Sequence, residues 1–151
     1  MALAETIQND LKAALLGGDR FKADVLRSLK AAILNEEVAT GKRDEGLADS
    51  DVEKIIAKEV KKRAESVRMY ETGGRPELAE NEKLESSVLE QYLPKQLSEA
   101  EVIAIVEQTI EEMGAVGMQS MGLVIKAVKE KVGNTADGAL IANTVKTKLS
   151  N

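Results

Sequence analysis

The run Leu84-Glu85-Ser86-Ser87-Val88-Leu89-Glu90-Gln91-Tyr92-Leu93-Pro94-Lys95-Gln96-Leu97-Ser98-Glu99-Ala100-Glu101 gives the backbone two opposite instructions. Leu84, Val88, Leu89, Tyr92 and Leu93 keep helical spacing, so a helix passes through them. Pro94 pushes the residue before it out of the helical region, which predicts a stop near Leu93. Ser98 and Glu101 then form a capping box: the Ser oxygen accepts from the backbone N–H three residues on, and the Glu reaches back. A new helix starts at about Glu99, and Pro94-Lys95-Gln96-Leu97 reads as a hinge between two lobes.

Outward from this junction the apolar spacing stays helical. Leu3, Ile7, Leu11 and Leu15 step by four, as do Phe21, Val25, Leu29 and Ile33. Gly17-Gly18 closes the first run, and Asp19 is placed to cap the second. Ser50-Asp51-Val52-Glu53 reads as a second capping box, opening a third helix that runs to about Thr72 before Gly73-Gly74. Pro76 suits the first turn of a fourth helix, where its missing N–H is unpaired anyway. Beyond the hinge, three helices are predicted over about Glu99–Met113, Met118–Val132 and Asp137–Leu149. Val102, Val106, Ile110 and Met113 stripe the first, and Leu140, Ile141, Val145 and Leu149 the last. No alternating strand pattern is found. The expected fold is all-α: an N-terminal four-helix lobe over 1–93, a hinge over 94–97, and a C-terminal three-helix bundle over 98–151.

Composition narrows the chemistry. Among 151 residues there is no Cys and no His. Thiolate nucleophiles, imidazole bases, Ser-His-Asp triads and Cys/His zinc sites are therefore excluded. Phe21, Tyr70 and Tyr92 are the only aromatics, too few for a platform that stacks bases. No motif calls for a cofactor or a metal. No apolar run approaches the ~18 residues of a membrane span. Met1–Asp10 lacks the basic start and apolar block of a signal peptide, so the expected location is cytoplasmic.

The net charge of -5 conceals an uneven distribution. From Met113 onward five lysines, Lys126, Lys129, Lys131, Lys146 and Lys148, face only two acids, Glu130 and Asp137. A local basic face binds phosphate even on an acidic protein; the plain alternative is a solvated helix surface. Projected at about 100° per residue, the third helix puts Val52, Ile56, Val60, Val67 and Tyr70 on one side. Lys54, Lys58, Lys61 and Arg68 fall on the other, with Glu65 among them. Glu59 and Arg63 break this pattern by lying on the apolar side. Their i,i+4 spacing predicts a partly buried structural pair.

Other candidates carry less. Gly117-Met118-Gln119-Ser120-Met121-Gly122 has the glycine spacing of a phosphate loop but lacks the Lys-Ser/Thr that must follow. It reads as a turn into a helix, with Gly122 allowing close packing. Glu82 and Glu85 are i,i+3, yet a di-iron bundle needs Glu-x-x-His. No catalytic constellation is visible.

The residues nevertheless resemble a family. Val25-Leu26-Arg27 with Glu37, the Lys58/Lys62-Arg63 helix, and Gly74-Arg75-Pro76-Glu77-Leu78-Ala79 carry the resemblance. Glu82, Glu85, Tyr92-Leu93-Pro94, Gln96-Leu97-Ser98, Met121-Gly122 and Ala136-Asp137-Gly138 continue it. In this order they are similar to the YqeY (GatB/YqeY) family, whose fold also forms the C-terminal tail of the B subunit of tRNA-dependent amidotransferase. The resemblance implies two helical lobes and a link to tRNA, which the module helps hold while another domain does the chemistry. It also implies a family label, carbon–nitrogen ligase activity with glutamine as amido-N-donor. Partners implied are tRNA and an aminoacyl-tRNA synthetase or amidotransferase. One departure stands out: Asn134-Thr135 occupies the place before Ala-Asp-Gly where family members often carry a basic residue. The expectation is a tRNA-binding accessory module held by phosphate and shape contacts, with Lys126, Lys129, Lys131, Lys146 and Lys148 meeting the backbone and Lys54, Lys58, Lys61 and Arg68 extending the surface. Its rivals are a protein-docking module and a glutamine-dependent enzyme.

Overall fold

Glycines and prolines punctuate the chain where expected. The computed structural model describes residues 2–150. Among them lie seven α-helices and no strand: α1 (Ala2–Leu16), α2 (Arg20–Ala39), α3 (Asp49–Thr72), α4 (Pro76–Glu90), α5 (Glu99–Met113), α6 (Met121–Val132) and α7 (Gly138–Leu149). Short 3₁₀ turns precede and follow α6. The chain forms two compact units, Met1–Leu93 and Pro94–Asn151.

In the first unit Ile7, Leu11 and Ala14 of α1 pack with Ala23, Val25, Leu26, Leu29 and Ile33 of α2. Val52 and Ile56 of α3 and Leu89 of α4 complete this core. A step of four advances about 400°, so a strict i,i+4 run drifts about 40° per step. The drift leaves Leu15 and Phe21 exposed at the ends of their stripes, while Ala14 and Leu26 take the buried places. Helix α3 is 24 residues long, about 36 Å at 1.5 Å per residue. Only its first half reaches the core. Val60, at the end of that half, is half-buried against the core, and the second half packs chiefly along α4, leaving Val67 and Tyr70 half-buried. The four-helix lobe is thus a four-helix core from which the α3–α4 hairpin extends.

Three helix boundaries differ from expectation, one of them the start of α6, which begins at Met121 after a 3₁₀ turn rather than at Met118. Helix α3 begins at Asp49, capped at Ala48, so Ser50 lies inside its first turn rather than at the cap. A tertiary bond accounts for this: Asp49 Oδ1 accepts from the Leu3 N–H at 3.0 Å, closing the start of α1. Leu47, at 2% exposure, anchors the chain just before it. Helix α4 ends at Glu90, short of Leu93. The Tyr92 and Leu93 amides instead donate to Leu89 and Glu90 carbonyls, the tighter turns common at helix ends. Within 94–97 two residues bond to the second unit. The Leu97 amide donates to the Thr135 carbonyl at 2.7 Å, and Gln96 Nε2 to the Asn134 carbonyl at 3.0 Å.

The second unit follows the sequence closely. Ser98 and Glu101 make both bonds of the capping box, and the Glu101 carboxyl is held below its ordinary range chiefly by that backbone hydrogen bond. Val102 and Val106 of α5, Val124, Val128 and Val132 of α6, and Ile141, Val145 and Leu149 of α7 form the core. Gly117, at φ +77°, turns the chain into α6. Gly122 does not allow close packing as expected, since a Cβ there would meet open space.

Two further polar contacts in the first unit bear on its stability. Tyr92 Oη donates to Asp10 Oδ2 at 2.5 Å, joining the end of α4 to α1. Burial, then this hydrogen bond and the Asp10 charge, push the Tyr92 phenol far above its ordinary value. On α3, Arg63 Nη1 lies 3.5 Å from Glu59 Oε1 and 3.1 Å from the Glu59 carbonyl oxygen. The two side chains are 14% and 17% exposed, the partly buried pair that the spacing predicts. Lys62 also reaches Glu59, at 3.2 Å. Arg63 influences Glu82 on α4, whose carboxyl is raised by burial and by Glu85 and lowered by the Arg63 charge.

Tyr92→Phe should lower unfolding free energy by about 1.5 kcal/mol, the worth of a hydrogen bond to a charged group. Because the folded phenol sits above its unfolded value of about 10, its stabilisation is complete below that pH and lost as pH rises toward the folded value. Urea titrations in alkaline buffers should show this loss in the parent chain and not in Tyr92→Phe. Arg63→Met should cost about 1–2 kcal/mol at pH 7 because it leaves Glu59, Glu82 and Glu85 clustered. Exposed Lys61→Met should cost less. Glu82, raised in the fold, favours folding below the ordinary carboxylate range and loses that contribution as pH rises. The gap between the two variants should therefore narrow on acidification; equal midpoints at pH 7 would contradict this account.

Candidate nucleic-acid interface

The five C-terminal lysines are exposed, but their surroundings divide them. Helix α5 packs against both α6 and α7 and brings acids to two of the five. Lys131 Nζ lies 2.8 Å from Glu112 Oε2 and 2.9 Å from the hydroxyl oxygen of buried Thr109. Lys148 Nζ lies 2.8 Å from Glu107 Oε1. The Glu112 carboxyl is held below its ordinary range, first by the Lys131 hydrogen bond. These two lysines tie helices together. The expected basic face therefore reduces to Lys126, Lys129 and Lys146, which make no ion pair with the described residues.

Helix ends supply a structural role for most of the set. Lys129 and Lys131 occupy the last turn of α6, and Lys146 and Lys148 that of α7. Cations there complement the helix dipole, worth about 0.3–1 kcal/mol each. Lys126 stands in the middle of α6, away from either end. Lys129 extends over the start of α7, its Nζ 3.6 Å from where a Cβ on Gly138 would stand. Asp137 holds the N-cap position of α7, yet its side chain makes no cap hydrogen bond.

The stripe on α3 is also divided. Lys54 and Lys58, one turn apart, border a cleft beside the α2–α3 loop. Arg68 lies farther along, on a groove between α3 and α4 floored by Val60, Ala64 and Val67. Lys61 is exposed between them. Sequence reasoning missed Lys42, which joins Lys54 and Lys58 at the cleft from a loop outside any helical period. It also missed an apolar patch around the α5–α6 turn, where Met113, Val116, Met118 and Leu123 are all exposed.

No described helix is long and apolar enough to cross a membrane. A family model described as Yqey-like protein matches residues 4–149. Three fungal relatives share the name "Altered inheritance of mitochondria protein 41, mitochondrial". The chain is 30% identical to that of Clavispora lusitaniae over 92 residues, covering 61% of this chain and 52% of the relative. It is 34% identical to that of Eremothecium gossypii over 87 residues, covering 58% and 46%. With that of Meyerozyma guilliermondii it shares 30% over 92 residues, covering 61% and 47%. The chain thus spans about half the length of these curated relatives.

The division of the lysines has a measurable consequence. Lys131→Glu and Lys148→Glu place a second carboxylate beside Glu112 and Glu107. Each should lower the denaturation midpoint, and by less at high salt. Lys126→Glu should leave the denaturation midpoint within error, since no partner or helix end depends on it.

Proposed function

Because the chain belongs to the YqeY family, we propose that it is a non-catalytic accessory module that binds tRNA. The observation that carries this reading is the set Lys126, Lys129 and Lys146, exposed and without acidic partners on a protein of net charge -5. Phosphate contacts from such lysines position a nucleic acid without reading its bases. Duplex RNA is recognised largely by shape and backbone, which suits a surface with three aromatics in all. The resemblance to the tail domain of tRNA-dependent amidotransferase supports the same role. A synthetase or amidotransferase is then the partner that performs chemistry on the tRNA. The glutamine-dependent carbon–nitrogen ligase label travels with that larger assembly in this reading. The fungal relatives carry a mitochondrial name. The proposed compartment follows it, in place of the cytoplasm expected from the sequence.

One observation favours a second reading, a protein-docking module on a synthetase or amidotransferase. Met113, Val116, Met118 and Leu123 expose apolar surface around one turn, and flexible methionines suit adaptable interfaces. The two readings part on salt: phosphate contacts weaken steeply with it, apolar docking does not.

Filter binding of tRNA across a salt series tests the proposal. The parent chain should bind at low salt, with log K falling linearly against log salt. Reversing Lys126, Lys129 and Lys146 should weaken binding and flatten that slope by about 2–3, the value for three lost phosphate contacts. An unchanged slope, or no retention at low salt, sinks the tRNA reading. Salt-insensitive capture of a synthetase with no tRNA retention selects the docking module. Glutamine-dependent ammonia release by the purified chain would revive the enzyme.

A further inference from the structure

The cleft beside the α2–α3 loop has a composition that the phosphate-contact reading leaves unused. Its volume is about 310 Å³, the lower end of the range of small-ligand sites, about 300–1,000 Å³. Lys54 and Lys58 edge it from α3, and Lys42 joins them from the loop. Two carboxylates, Glu36 and Asp51, and the Thr40 hydroxyl share the rim; Leu47 and Ile55 supply its apolar lining. The loop is built rather than slack. Gly41 and Gly46 turn it at φ +70° and +77°. Between them the Lys42 amide donates to the Glu37 carbonyl, and its own carbonyl accepts from Gly46, both at 2.8 Å. Leu47 then anchors the loop in the core.

We infer that this cleft takes one phosphorylated ribonucleoside unit. The chemistry of each group assigns its part. Three ammonium groups suit a phosphate ester, to which each donates charge-assisted hydrogen bonds. None of the three has a carboxylate within ion-pair distance among the described residues, so the cations are not already neutralised. Two carboxylates would repel a bare phosphate but accept hydrogen bonds from sugar hydroxyls, of which ribose offers one more than deoxyribose. The half-buried side chain of Ile55 offers an apolar wall to the face of the sugar or base. The inference rests on the tRNA reading for Lys54 and Lys58 as RNA-facing residues, and it adds what they would hold. An RNA strand and a free mononucleotide share this chemistry, and the test separates them.

The experiment is amide-resolved NMR of the full chain, titrated with adenosine 5′-monophosphate, its 2′-deoxy analogue and inorganic phosphate. The ribonucleotide should shift amides within 36–58 saturably, and bind several-fold more tightly than either comparison probe. Lys54→Gln/Lys58→Gln, both at exposed positions, should weaken it about tenfold, the loss of roughly one strong contact. Asp51→Asn should tighten inorganic phosphate while narrowing the ribose preference, opposite signs that a merely structural role would not give. Competition by a 5′-phosphorylated single-stranded RNA tetramer identifies a strand as the source; binding of the mononucleotide without such competition identifies a free nucleotide. No shift at millimolar nucleotide, shifts scattered outside 36–58, or equal affinity for all three probes overturns the inference. Retention of tRNA by the parent chain is scored separately. If the parent chain binds tRNA but not the nucleotide, the cleft fails alone; if it binds the nucleotide but not tRNA, the tRNA reading fails alone.

Discussion

A proline at position 94 has no amide hydrogen to give and forces Leu93 out of the helical region. Helix α4 therefore cannot run on into the residues that follow, and the apolar side chains on either side cannot join one continuous stripe. The chain answers with two cores. Before the proline, the tight turns at Tyr92 and Leu93 fold the end of α4 back on its own unit, and Tyr92 reaches Asp10 across 82 positions of sequence. After it, Gln96 and Leu97 bind Asn134 and Thr135 and join the second unit. The residues on each side of Leu93–Pro94 are committed to different partners, so the junction is short in sequence.

Splitting the core has energetic consequences. The second unit, Pro94–Asn151, is small enough that burial alone leaves it marginal. Its core is mainly valine, with Ile141 and Leu149, and has no aromatic. Polar contacts at the helix surfaces then matter more than in a larger domain. Lys131 and Lys148 join α6 and α7 to the acids of α5, and the Ser98–Glu101 box closes its start. The acids that make α5 useful as a structural strut also remove two lysines from any basic face. The same helix that completes the bundle thus limits where phosphate can be bound.

What was legible in the sequence was local. The capping box at Ser98, the cap at Asp19 and the Pro76 start all depend on groups within four residues, and all stand where the sequence places them. The Glu59–Arg63 pair was readable for the same reason, being one turn apart on one helix. Ser50 failed because the start of α3 is set by Leu3, far away in sequence. Gly122 failed because a glycine inside a helical run suggests close approach, whereas here no neighbour comes near. The lysines show the same limit at the candidate site. A periodicity computed along one helix identifies Lys131 as exposed but cannot see Glu112 on the helix beside it. Lys42 was invisible because it lies in a loop positioned by two glycines, outside any apolar period.

These limits bear on how an acidic protein could hold a polyanion. At physiological salt the Debye length is about 8 Å, so the net charge of -5 is felt at a phosphate only through its near neighbours. Three lysines without acidic partners then each offer local positive charge, yet three phosphate contacts alone give weak, salt-sensitive binding. A cleft that combines cations with hydroxyl acceptors works differently. In the inferred binding mode its carboxylates would disfavour a bare phosphate and favour one that brings a ribose with it. The first kind of contact would supply attraction without discrimination, and the second would add discrimination. Duplex DNA would meet these lysines and find nothing in the cleft. In such a protein selectivity would come from the acids, the residues that the overall charge makes look unsuited to nucleic acid.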